Sequence, residues 1–163
     1  MVEKALDFQQ YIGNIDLSAV IRYSLSKYKC SEMHGISHWN RVARNGLRIA
    51  KYDESVNKRV VILFAFLHDH MRQDDYSDEE HGPRAAEALS EISDTLLADL
   101  SEDEFELLRT ACEMHTSCEE GTGEPTIDAC FDADRLDFGR VGITPDPDLM
   151  TTDIGRHLAE KLQ

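Results

Sequence analysis

Val60-Val61-Ile62-Leu63-Phe64-Ala65-Phe66-Leu67-His68-Asp69-His70-Met71-Arg72-Gln73-Asp74-Asp75 is the stretch whose reading decides the fold. Residues 60–67 are apolar without a break, and the run stops at His68-Asp69. A helix that is apolar on every side belongs in the middle of a core, since no face of it suits water. A buried strand of that length has the same pattern, and periodicity alone does not separate the two. The helical reading is preferred, because Ser55 offers an N-cap and the pattern continues through Ala65, Leu67 and Met71 to a helix-like length. His68 and Asp69 then stand at the C-terminal end of the most buried element. Adjacent ionisable groups there are costly unless paired, and a metal ion is one efficient partner.

The flanking chain reads as further helices. Residues 1–14 carry a short amphipathic pattern (Ala5, Leu6, Phe8, Ile12) ended by Gly13. Asp16 or Ser18 can cap a helix to about Tyr28, with Leu17, Val20, Ile21 and Leu25 on one side and Lys27 and Lys29 at its end. A helix entered at His34-Gly35 and reaching about Lys51 puts His38, Val42, Asn45 and Ile49 on one stripe. Pro83 suits a first helical turn, and Ala85, Ala88, Leu89, Ile92 and Leu96 extend a stripe that His81 begins. Ser101 with Glu104 is a capping-box signature for a helix ending near His115, with Phe105, Leu108 and Cys112 on its inner side. Ile127, Phe131, Asp134 and Phe138 recur at helical spacing, which sets a carboxylate on an apolar face. A loop over residues 139–148 and a terminal helix over residues 151–162 complete an all-α reading, with no strand pair and no internal repeat.

The bulk numbers suit one soluble domain of 163 residues, with 30% charged and 41% hydrophobic residues. The net charge of −15 repels phosphate backbones, so duplex nucleic acid is not an expected partner. Cys30, Cys112, Cys118 and Cys130 form no C-x-x-C pair, no secretory segment is visible, and no apolar run reaches membrane-spanning length. A cytoplasmic protein with reduced thiols, away from membranes, is the plain expectation.

His38, His68, Asp69, His81, His115 and Asp134 all fall at the apolar margin or stripe of an expected helix. A lone histidine in such a place is usually a satisfied core residue, but an ionised carboxylate on a core stripe demands a partner. Imidazoles and carboxylates pointing inward from different helices are what a metal site in a helical bundle needs. A buried hydrogen-bond network without metal is the competing reading. His34 lies one turn before His38 and is expected beside the ligands or at the surface, and His70 and His157 are expected at the surface. Cys112, Cys130, Trp39, Phe64, Phe66, Phe105 and Phe131 read as core.

The order His38, then His68-Asp69, then Asp134 resembles the HD-domain superfamily of metal-dependent phosphohydrolases. The flanks look like it too: His-x-x-Arg-Val at residues 38–42, the apolar run before His68-Asp69, and Asp-Ala-Asp-Arg-Leu-Asp at residues 132–137. The motif core spans about residues 34–142 of a single domain over residues 1–163, with residues 143–163 as a C-terminal loop and helix. The resemblance implies an all-α bundle with a divalent metal between helices, held by His38, His68, Asp69 and Asp134. Many two-metal members carry two further histidines between the His-Asp pair and the last Asp, and His81 and His115 match that order. The spacing from Asp69 to His81 is short, and His70 directly follows the pair. Those departures leave a second metal open against a role for His81 and His115 in holding substrate phosphate or donating a proton.

Two imidazoles and two carboxylates suit Mn²⁺, Fe²⁺, Co²⁺ or Ni²⁺, with Zn²⁺ and Mg²⁺ as further candidates, in one or two ions. Such an ion would lower the pKa of a water that Asp69 orients, and would polarise a phosphoryl oxygen. Arg41, Arg72, Arg84, Arg135 and Arg140 lie near these positions in sequence and are candidate contacts for a small anionic phosphorylated substrate. For any one of them, pairing with the abundant acids is the plainer role. The expected activity is hydrolysis of a phosphate ester or nucleotide, with Asp69, His81 and His115 as candidate catalytic groups. Two alternatives stand beside it: a mixed-valent di-iron oxygenase, as in some members of the superfamily, or a non-catalytic metal- or nucleotide-binding module.

Overall fold

A computed structural model describes residues 7–163 and shows seven α-helices, with no strand among the described residues. They are α1 (Leu17–Lys27), α2 (Ile36–Ala50), α3 (Lys58–Leu67), α4 (His81–Ala88), α5 (Glu102–Met114), α6 (Pro125–Arg135) and α7 (Asp153–Glu160). Of the N-terminal pattern, Phe8 and Ile12 are buried in the core, whereas Ala5 and Leu6 lie outside the described residues.

The all-apolar run is the central helix, and every residue from Val60 to Leu67 is buried. It packs against α1, α2, α5 and α6. Its limits differ from the sequence expectation at both ends. Asn57, not Ser55, is the N-cap and accepts from the Val60 amide at 3.1 Å. Ser55 is spent in the preceding turn, where its amide and hydroxyl both donate to the Asp53 carboxylate. The helix stops at Leu67 rather than running to Met71. The His68 Nδ1 meets the Phe64 and Ala65 carbonyls, and the His70 Nδ1 meets the Leu67 carbonyl. The imidazoles thus reach the Ala65 and Leu67 carbonyls, which another helical turn would have used.

Caps set the remaining helices. Asp16 accepts from the Ala19 amide at α1, and Ser101 with Glu104 forms the full capping box at α5. Leu25 is 40% exposed, and the buried position on that side of α1 is Ser24, whose hydroxyl donates to the Phe66 carbonyl at 2.7 Å. The expected helix through Leu96 ends early. After Ala88 a 3₁₀ turn and further turns follow, and Leu97 enters the core instead. Ser90, Ser93 and Thr95 hydroxyls each donate to the carbonyl three residues back, the local competition by which such residues weaken a helix. At the C-terminus the buried Asp132 carboxylate accepts from the amides and hydroxyls of Thr151 and Thr152, tying the start of α7 to α6. One hydrophobic cluster runs from Phe8 to Ala159. Trp39, Phe64, Phe66, Phe131, Cys112 and Cys130 are buried in it, and the half-buried Phe105 packs against it.

Candidate metal centre

Five helix ends converge on one point. His38 comes from the first turn of α2, His68 is the C-cap of α3 with Asp69 next to it, and His81 opens α4. His115 is the C-cap of α5, and Asp134 lies in the last turn of α6. Three of these are helix C-termini, whose dipoles favour positive charge. The sequence-predicted ligand residues are therefore brought together by the fold.

His38, His68, Asp69 and Asp134 present four atoms to one another. The His38 Nε2 is 3.2 Å from the His68 Nε2, 3.4 Å from the Asp69 Oδ2 and 3.2 Å from the Asp134 Oδ1. The His68 Nε2 is 3.4 Å from the Asp69 Oδ2 and 3.7 Å from the Asp134 Oδ1. These are the ligand-to-ligand spacings of an ion bound at about 2.0–2.2 Å. The protonation pattern points the same way. The Nδ1 of His38 is 2.7 Å from the Asp137 Oδ2, and the Nδ1 of His68 faces main-chain carbonyls at 3.0 and 3.1 Å. Both Nδ1 atoms must donate, which leaves a lone pair on each Nε2. Acceptors thus face acceptors, and no hydrogen-bond donor reaches the buried Asp69 Oδ2 or Asp134 Oδ1. A cation would resolve this arrangement, and His38, His68 and Asp134 are placed so that they could hold one.

Without a cation, the same crowd draws a proton. Burial opposes a charged His38, but the facing carboxylates of Asp134, Asp137 and Asp69 lift its pKa to about 10. Burial also works to raise the Asp69 and Asp134 carboxyls. The facing histidines, with Arg140 beside Asp134, hold both well below the usual carboxylate range.

A second group shares Asp69. Its Oδ1 lies 2.9 Å from the His81 Nε2 and 3.6 Å from the His115 Nε2, and those nitrogens are 2.9 Å apart. The His81 Nδ1 meets the Asp78 carbonyl and the His115 Nδ1 the Cys112 carbonyl, which turns both Nε2 atoms toward Asp69. His68, Asp69 and His115 form a second set that can hold a metal. Asp69 turns one oxygen to each group.

The centre opens into a cleft of about 640 Å³. Asp69, His81, His115 and Asp134 form its floor, and Met33, Phe138, Val141 and Ile143 give it an apolar wall. Of the candidate arginines, Arg72 and Arg140 line the cleft. Arg72 lies 3.2 Å from the His81 ring, and Arg140 lies 3.7 Å from the Asp134 Oδ1, with its Nε buried and without a partner. Arg41 stands behind His38, its Nε donating to Asp137 at 2.7 Å. Arg84 is held by Asp78 and the Met71 carbonyl, and Arg135 by the carbonyls of Cys118, Glu119 and Leu149, so neither guanidinium faces the cleft.

Three residues have roles that periodicity did not show. Asp137 fixes the His38 tautomer, and its place three residues after Asp134 in Asp-Ala-Asp-Arg-Leu-Asp was the available signal. His34 is buried and faces the centre, its Nδ1 3.7 Å from the Asp69 Oδ2 and 3.4 Å from Arg140. His70, expected at the surface, is fully buried beside Tyr23, and burial lowers its pKa to about 4. The turn after Leu67 folds it back under the helix end. His157 is exposed on α7.

Comparison with protein-family models, with curated proteins and with solved structures returned no match. What the centre does has to come from its own geometry. No helix among the described residues is long and apolar enough to cross a membrane.

Proposed function

We propose that this centre is the active site of a metal-dependent phosphohydrolase of the HD-domain type, acting on a small phosphate ester or nucleotide. The observation that carries the reading is the group of acceptors His38, His68, Asp69 and Asp134, of which Asp69 and Asp134 reach a cleft that Arg72 and Arg140 also line. A divalent ion bound there supplies Lewis acidity toward a phosphoryl oxygen and lowers the pKa of water. Asp69, fixed between two histidine groups, orients the attacking water. Arg72 and Arg140 hold the anionic oxygens, where the rigid guanidinium fork matches phosphate. His81 and His115, which meet the Asp69 Oδ1 while His38 meets its Oδ2, are assigned to the leaving oxygen. The apolar wall takes the organic part of the ester.

The two oxygens of Asp69, one to each histidine group, favour a second reading in which the centre is dinuclear and iron-loaded and uses oxygen. One set of measurements separates the two. Purified protein is quantified for metals, stripped, reloaded with Mn²⁺, Co²⁺ or Fe²⁺, and assayed for phosphate release over a panel of esters and for oxygen uptake. Phosphate release with Mn²⁺ or Co²⁺ supports hydrolysis, and iron-dependent oxygen uptake without phosphate release replaces it. His68→Ala and Asp134→Ala are expected to lose most bound metal, and full occupancy in both after dialysis would move the site elsewhere.

A further inference from the structure

Arg41, Arg44 and Arg48 follow one another at i, i+3 and i+7 on the outer face of α2. Among the described residues, Arg44 and Arg48 are the arginines with no hydrogen bond, ion pair or ring contact. That is unexpected in a chain with 32 acids against 17 bases, where partners are abundant. Both are exposed. With Arg41, Asn45, Leu136 and Leu162 they line a groove of about 260 Å³.

That groove adjoins the metal cleft through one intermediate hollow. It shares Arg41, Leu136, Asp137 and Leu162 with a neighbouring hollow of about 740 Å³, which in turn shares Arg140 and Ile143 with the cleft. A path lined by Arg140, Arg41, Arg44 and Arg48, with Asp137 paired to Arg41, therefore leads along α2, and its net charge is positive. Exposed apolar groups lie along it, with Ile143 56% and Leu162 51% exposed. On a helix, the arginines are stepped by about 4.5 and 6 Å.

We propose that this path is an extended substrate subsite for a short single-stranded oligonucleotide whose terminal phosphate occupies the metal cleft. The inference rests on the phosphohydrolase reading for the chemistry in the cleft, and adds the substrate's length and charge. Stepped guanidinium groups hold successive backbone phosphates, while the leucine and isoleucine side chains take sugar and base surface. The alternation of cationic and apolar groups fits a nucleotide chain better than a bare polyphosphate. The net charge of −15 does not oppose this locally, because charges further than about 8 Å away are screened at physiological ionic strength. A duplex, with its larger footprint, still meets the repulsive surface around the groove.

The test reads binding without turnover. Fluorescence anisotropy with a 3′-labelled, 5′-phosphorylated single-stranded hexanucleotide compares wild type with Arg44→Glu/Arg48→Glu, using a nucleoside monophosphate as competitor. The double variant should weaken hexamer binding at least about tenfold and flatten the slope of log affinity against log salt by about 1.4, the loss of two phosphate contacts. It should also raise the ratio of hexamer to mononucleotide dissociation constants. Arg44→Gln/Arg48→Gln repeats the measurement with less charge disruption, should the reversal fail to fold. Equal hexamer affinity in wild type and variants overturns the proposal, as does a wild type that binds the hexamer no better than the mononucleotide. A change in sedimentation mass on substitution also overturns it, by making a second copy of the chain the occupant. Stripe-dependent binding with no phosphate release from any ester leaves the subsite standing and removes the hydrolytic reading. Hydrolysis of mononucleotides without hexamer binding does the reverse.

Discussion

Asp137→Asn changes one atom and tests how the centre is organised. The carboxylate accepts from the His38 Nδ1 through Oδ2 and from the Arg41 Nε through Oδ1, both at 2.7 Å. Asparagine keeps the shape but has one oxygen for two donors. If that oxygen stays with Arg41, the amide NH₂ turns toward His38 and forces the imidazole into its other tautomer. The proton then sits on Nε2, the atom that faces His68, Asp69 and Asp134. If the oxygen turns to His38, the tautomer survives, but the charge that strengthens the ligand is gone and Arg41 loses its partner. Removing such a supporting group usually costs 10- to 100-fold in metal affinity, or about 1.4–2.7 kcal/mol. The assay is competition of stripped protein with a colorimetric chelator for Mn²⁺ or Co²⁺, with the metal-free melting temperature measured alongside to report the fold. Arg41→Ala should cost less, because the Arg41 side chain is 43% exposed and does not touch His38. Metal affinity in Asp137→Asn within twofold of wild type, with the fold intact, would refute the assigned tautomer and with it the argument that acceptors face acceptors.

His81→Ala and His115→Ala, assayed together for metal stoichiometry and KM, decide whether Asp69 bridges two ions: loss of one metal per chain means two, and altered KM at constant metal content means phosphate contact. Arg59 holds Glu104 at about 2, with hydrogen bonds from the Ser101 amide and Asn57 adding to the effect against a smaller opposing push from burial. A depressed folded pKa stabilises above the unfolded value, so the advantage of wild type over Glu104→Gln should be complete above about pH 4.5 and fall away as pH drops through about 2. Urea unfolding of both proteins across that range checks the window, and a difference that instead appears as pH rises past neutral would contradict it. A Cβ on Gly155 would lie 2.1 Å from the Asp132 Oδ2, in the carboxylate that anchors α7. Gly155→Ala should therefore destabilise by about 1–3 kcal/mol, seen as a lower melting temperature, and an unchanged melting temperature would show that the segment shifts freely.

Much of the fold is legible because local rules act on adjacent residues. The unbroken run from Val60 to Leu67 could only be satisfied by burial on all sides, and the Ser101–Glu104 box and the Asp16 cap are contacts within one turn. The inward placement of His38, His68, Asp69, His81, His115 and Asp134 follows from the same periodicity. What the chain order does not contain is which atom of each side chain turns inward. For His38 that depends on the distant Asp137, whereas His68 and His115 turn on carbonyls three or four residues back, where α3 and α5 end. The arginines divide for the same reason. All five candidates are close to the motif in sequence, but Arg84 and Arg135 find nearer partners in Asp78 and in loop carbonyls, while Arg72 and Arg140 are left facing the cleft. His70 and His34 are buried by the turns beside them, which hydropathy does not register. The sequence by itself determined the all-α class, the buried central run, the caps of α1 and α5 and the inward placement of His38, His68, Asp69, His81, His115 and Asp134, since each depends on the water-hating or capping character of neighbours along the chain. Only the tertiary structure decided the His38 tautomer, the shared carboxylate and the open path along α2, because each depends on distances between residues far apart in sequence.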